Sequence, residues 1–128
     1  MKRPNLLYIF TDQQRVDTLR CYGNEQIEMP ALNELAQDSF VFDRAYVSQP
    51  VCSPSRATML TGLWPHTARV PACNVPLPED VPSIAEMLPA DYACGYMGKW
   101  HLGDEIFAQH GFDTWVGSEN SYRRCYSD

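Results

Sequence analysis

Near its start the chain reads Asn5-Leu6-Leu7-Tyr8-Ile9-Phe10-Thr11-Asp12, an unbroken apolar run that ends in polar and acidic residues. A strand with one solvated face alternates apolar and polar residues, and an amphipathic helix needs a longer 3.6-residue period. A short continuous run is the pattern of a strand covered on both faces. Parallel strands are covered in this way because their crossover helices lie on both sides of the sheet, so this one segment points to an α/β fold. In open α/β sheets ligands lie beyond the carboxyl ends of the strands, which puts Thr11-Asp12-Gln13-Gln14 at a position for chemistry.

The remaining pattern agrees with an α/β layer structure. Pro30 opens a helix with Leu32, Leu35 and Ala36 at helical spacing and Phe40 one turn on. Phe40 to Val47 is rich in aromatic and β-branched residues and is expected to be extended. Ser48 to Arg56 reads as a loop, with Ser53 as N-cap and Pro54 in the first turn of a helix that stops at Gly62. Pro65, Pro71, Pro76, Pro78 and Pro82 make the next stretch irregular. A short helix over Ser83 to Leu88, a strand over Tyr92 to Met97, the turn Gly98 to Gly103 and an apolar segment between Gly111 and Gly117 follow. No repeat or low-complexity tract divides residues 1–128.

Composition narrows the function classes. Ten Lys and Arg against sixteen Asp and Glu give a formal charge of −6, with no basic cluster to bind nucleic acid or an anionic membrane. No apolar run approaches the roughly 18 residues of a membrane span, and Leu6 to Phe10 is shorter than the roughly 7–15 residues of a signal-peptide core, so the expected location is the cytoplasm. The five cysteines, Cys21, Cys52, Cys73, Cys94 and Cys125, are odd in number and form no C-x-x-C pair, which suits reduced thiols better than a disulfide framework. Cys73 and His110 have no metal-like spacing with a neighbour, His66 after Trp64-Pro65 reads as a turn residue, and Arg123-Arg124 as a solvated pair.

Cys52-Ser53-Pro54-Ser55-Arg56-Ala57-Thr58-Met59-Leu60-Thr61-Gly62 is the segment richest in chemistry. It sets a cysteine at the mouth of a helix N-terminus, where unsatisfied N–H groups favour anions, and an arginine four residues on that can offer a fork of donors to an oxyanion. A tyrosine-phosphatase loop is excluded, because it needs a longer interval than the three residues between Cys52 and Arg56. The stretch resembles the sulfatase signature, C-x-P-S-R followed at a fixed distance by L-T-G. Thr11-Asp12-Gln13-Gln14-Arg15 resembles the N-terminal metal site of that family, with Gln13 where many members have a second acid. Gly98-Lys99-Trp100-His101-Leu102-Gly103 resembles its G-K-W-H-L-G turn in every residue. Asp17 and Tyr22-Gly23 resemble the loop after the metal site.

The resemblance implies an alkaline-phosphatase-like α/β sandwich with a mixed, largely parallel sheet, of which this chain is the N-terminal portion. It implies a sulfuric ester hydrolase of arylsulfatase type, acting on small-molecule or saccharide sulfate esters. Cys52 is then converted to formylglycine by a formylglycine-generating enzyme or an anaerobic maturase, and one hydroxyl of its hydrate attacks sulfur while the other later expels sulfate. A thiol in the same place would leave a stable adduct. Cys52, Arg56, Lys99 and His101 are the implied catalytic residues, and Asp12, Gln13 and the modified residue 52 the implied ligands of Ca²⁺ or another divalent cation. With strand-like alternation, residues 99 and 101 point the same way and Trp100 into the packing. Two alternatives stay open: a phosphonate or phosphate monoester hydrolase of the same superfamily, and a non-catalytic fragment. The downstream Asp-Asn or Asp-His pair, further His and further Lys of the family have no counterpart in these residues, so a truncated catalytic domain is expected.

Overall fold

The computed structural model describes residues 3–117; Arg123-Arg124 and Cys125 lie outside the described residues. The chain falls into two compact units, Met1–Tyr46 and Val47–Asp128.

In the first unit, α1 spans Pro30–Gln37 with proline in its opening turn, where its missing N–H costs no intrahelical hydrogen bond. Two short 3-10 turns, Val16–Thr18 and Arg20–Tyr22, precede it. They are tied by side chains: the Arg15 guanidinium donates to both carboxylate oxygens of Asp17 at 2.9 and 2.6 Å, and the Tyr22 hydroxyl donates to the Phe42 carbonyl at 2.7 Å. The Asn24 amide donates to the Asp17 carbonyl at 2.7 Å, while its oxygen accepts from the N–H groups of Gln26 and Ile27. Asp17 and Tyr22 therefore shape this loop, as their pattern suggests. The expected strand at residues 5–12 does not appear as such: neither it nor residues 40–47, expected to be extended, forms a ladder among the described residues, and Leu7 is 82% exposed. A strand exists only when another segment takes its N–H and C=O groups, and the apolar pattern reports the cover it is built for rather than supplying it.

The second unit holds the core, with Ala57, Ala68, Val70, Trp100 and Leu102 fully buried. α2 spans Cys52–Thr61 and ends at Gly62, whose left-handed φ of 71° lets its N–H reach the Thr58 carbonyl at 2.8 Å. α3, Ile84–Met87, starts from Ser83 in a capping box: the Ser83 hydroxyl accepts from Ala85 N–H at 3.1 Å and the Glu86 carboxylate from Ser83 N–H at 2.8 Å. β1, Gly95–Gly98, and β2, Thr114–Gly117, pair in parallel, Tyr96 opposite Trp115. β1 starts three residues later than the expected strand and runs one residue past it to Gly98, and β2 forms within the apolar segment between Gly111 and Gly117. Tyr96, Trp100, Phe112 and Trp115 make an aromatic nucleus, with Tyr96 stacked on Trp115 at 5.0 Å and edge-on to Trp100 at 5.0 Å. Such pairs add about 0.5–1.5 kcal/mol each beyond the area they bury.

Candidate active site

α2 begins two residues earlier than its cap pattern indicates. Cys52 is its first residue and Val51 the N-cap, which lends no side-chain oxygen. The expected cap, Ser53, is fully buried and its hydroxyl accepts the Asn74 N–H at 3.0 Å. Ser53 thus pins the proline-rich loop to the helix, and this brings Cys73 beside Cys52, with the sulfurs 3.8 Å apart. Pro54 fits the first turn because an N–H there would find no intrahelical acceptor, so its absence costs no hydrogen bond.

The second wall of the site is the turn after β1. Gly98 leaves the strand at φ 110°, a conformation an L side chain resists. Trp100 then fills the core with no exposure, as expected, and its indole meets Tyr96, Phe112 and Trp115 edge-on. The alternation breaks at the next residue: His101 is in the left-handed region at φ 57°, so residues 99 and 101 are not related as neighbours on one strand face. Glu105 holds this conformation. Its buried carboxylate accepts the N–H of Trp100 at 3.0 Å with one oxygen and that of His101 with the other. The Glu105 carbonyl accepts the Trp115 indole N–H at 2.8 Å, and the Leu102 carbonyl accepts Leu77 N–H at 2.8 Å. The turn is fastened to β2 on one side and to the proline-rich loop on the other.

Arg56 joins the two walls. It is 5% exposed, and one terminal nitrogen donates to the Lys99 carbonyl and to the Tyr96 hydroxyl at 3.2 Å. The guanidinium therefore fixes the Lys99 main chain as well as carrying charge next to it. Tyr96 also donates to the Lys99 carbonyl, and burial pushes its hydroxyl pKa above the ordinary tyrosine value, outweighing the opposing pull of Arg56.

Across the gap, His101 Nε2 lies 2.5 Å from Asn74 Oδ1 and 3.8 Å from Cys73 Sγ. Of the expected site residues, the second unit therefore brings Cys52 and His101 to one place through Cys73, and Arg56 and Lys99 to another through a backbone carbonyl. Asp12 and Gln13 belong to the first unit, both exposed, with Gln13 at a left-handed φ of 56°. Their oxygens suit a hard cation such as Ca²⁺ in kind, although two donors fall short of the roughly 6–8 that ion takes. Cys73, Asn74, Tyr96 and Glu105 are the functional neighbours that the sequence reading missed. Cys73 is 21 residues from Cys52 and 28 from His101, so no local spacing marks it.

A helix N-terminus with cysteine first and arginine fifth, beside a Gly-Lys-Trp-His-Leu-Gly turn, offers main-chain N–H groups and positive side chains that suit an anion. The sulfatase family model matches residues 4–128, and the chain belongs to that family. It is 35% identical to N-acetylgalactosamine-6-sulfatase of Homo sapiens, the match covering 98% of this chain and 27% of that protein. It is also 35% identical to the ulvan-active sulfatase of Formosa agariphila, over 94% of this chain and 25% of that one. Among solved structures, BT4656 in complex with its substrate D-glucosamine-2-N,6-O-disulfate superposes with a TM-score of 0.81 at 32% identity, covering 89% of this chain and 23% of that one. The putative sulfatase yidJ from Bacteroides fragilis follows at a TM-score of 0.73 and 29% identity, over 83% and 29% of the two chains. The fold is thus the α/β architecture of the alkaline-phosphatase-like sulfatases, and the chain spans about a quarter of the length of the curated relatives it matches.

Proposed function

We propose that this chain carries the nucleophile-bearing part of a sulfuric ester hydrolase that acts on saccharide sulfate esters, with residue 52 as formylglycine and a divalent cation as partner. The observation that supports it best is the junction of α2 with the Gly98–Gly103 turn, where Arg56 donates to the Lys99 carbonyl and Cys52 faces His101 across Cys73. Sulfate transfer needs several fixed positive groups around one nucleophile, since charge develops on the oxygens as the ester bond breaks. Lys99 and Arg56 supply that charge, and His101 holds a proton at Nε2 beside residue 52. Glu105 keeps the imidazole at that height by fixing its main chain. Asp12 and Gln13 would help to hold the divalent cation, which as Ca²⁺ would supply Lewis-acid polarisation of a sulfate oxygen. The saccharide preference rests on the relatives, since one acts on N-acetylgalactosamine 6-sulfate by its name and a solved neighbour holds a glucosamine disulfate.

Sulfate release from 6-O-sulfated hexosamines tests the reading, with aryl phosphonate and phosphate esters as competitors. The protein, matured by a formylglycine-generating enzyme, is expected to turn over the sulfates at least tenfold faster. Preference for phosphonate or phosphate esters would overturn it.

A further inference from the structure

Cys52, Cys73 and His101 place two thiols and an imidazole nitrogen within 4.8 Å of one another. Cys52 Sγ to Cys73 Sγ is 3.8 Å, and Cys73 Sγ to His101 Nε2 is 3.8 Å. A tetrahedral zinc with bonds of about 2.3 Å to sulfur and about 2.0–2.1 Å to nitrogen has an S···S edge of about 3.8 Å and an S···N edge of about 3.6 Å. These two separations lie within about 0.2 Å of the edges of a zinc tetrahedron, and the third, Cys52 Sγ to His101 Nε2, is no more than 4.8 Å. The donor set points the same way, since thiolate and imidazole suit zinc and reject the hard cations that Asp12 and Gln13 favour.

We propose that the thiol form of the protein, before any modification of residue 52, binds one Zn²⁺ through Cys52, Cys73 and His101, with the fourth position open to water or to Asn74. The three ligands stand on anchored backbone. Cys52 begins α2, Cys73 adjoins the Asn74 N–H held by Ser53, and His101 is fixed by Glu105. Cys73 and Asn74 are exposed, which gives the ion a route in and lets the Asn74 amide swing away from Nε2. The imidazole then carries its proton on Nδ1, and the two thiols release theirs, so each Zn²⁺ bound frees two protons. Zinc on Cys52 occupies the sulfur that maturation must reach, so metal loading and formylglycine formation exclude each other. This site concerns the unmodified chain and stands apart from the hydrolase reading: its failure leaves that reading intact.

The test uses protein from a host without formylglycine maturation, with the residue 52 thiol verified by peptide mass, titrated anaerobically with Co²⁺ as spectroscopic probe. The expected result is one equivalent of tetrahedral Co²⁺, with ligand-field bands in the visible and sulfur charge-transfer bands in the near ultraviolet, displaced by one equivalent of Zn²⁺. Cys73→Ser halves the charge-transfer intensity, and His101→Ala weakens binding about tenfold or more. A double Cys21→Ser, Cys94→Ser variant keeps the spectrum. In the unmutated protein, Zn²⁺ slows alkylation of Cys52 and Cys73 and leaves Cys21 reactive, a readout that needs no variant to fold. Absence of a tetrahedral spectrum, a spectrum indifferent to Cys73→Ser, or unprotected Cys52 and Cys73 would each overturn the proposal.

Discussion

Glu105 decides the shape of the His-bearing turn. One buried carboxylate satisfies two successive main-chain N–H groups, Trp100 and His101, and a left-handed histidine survives only when its surroundings over-determine it. Glu105→Ala leaves those donors without an acceptor in a buried place, an expected loss of about 1–3 kcal/mol read as a lower urea midpoint of the matured protein. An unchanged midpoint would contradict the clamp. Tyr96 gives a second check at this scale. Its hydroxyl pKa is raised by burial, so the folded form keeps its proton longer than the unfolded one. That contribution is complete below the ordinary tyrosine range and fades as pH climbs through the folded value. Ultraviolet titration is expected to show one tyrosine ionising late, and Tyr96→Phe removes that step. Neither residue stands out in the sequence: Glu105 is one acid among sixteen, and only the turn geometry gives it two N–H groups to hold.

At the scale of elements, what could be read from the chain depended on how local the cause was. α1 and α3 were legible because proline and a Ser-x-x-Glu cap act within a few residues. Ser83→Ala removes both the cap and a 2.7 Å donation to the His110 carbonyl, with an expected loss of about 0.5–2 kcal/mol by urea titration. A loss much smaller than that would show that α3 is held by packing alone. The same logic misplaced the start of α2. Ser53 carries the composition of a cap, yet its hydroxyl is spent on Asn74, a tertiary bond that no local pattern reveals. The Cys52–Gly62 and Gly98–Gly103 motifs were legible because their spacing is rigid within one helix and one turn. Cys73 was not, since its closeness to Cys52 follows from how a proline-rich loop closes. Strand patterns reported burial rather than pairing, so residues 92–97 gave a strand only where Thr114–Gly117 lies alongside.

For the whole molecule, the apolar run at residues 5–12 carries the main physical statement. Leu6, Leu7 and Ile9 are 64%, 82% and 75% exposed in a segment whose pattern is written for cover on both faces. With those side chains uncovered, the 128-residue chain is expected to bind a hydrophobic dye and to melt with low cooperativity. A sharp, reversible monomeric melt would contradict this. The central claim is that residue 52 serves as an aldehyde rather than a thiol, and the mass of the peptide bearing it, from protein matured by a formylglycine-generating enzyme, tests that most directly. The account predicts a mass lowered from that of the cysteine peptide by conversion of the thiol to the aldehyde, read on the dehydrated peptide because the hydrate has nearly the mass of the cysteine form, in proportion to sulfate-ester turnover. A full-strength thiol peptide in protein that turns over sulfate esters would contradict it.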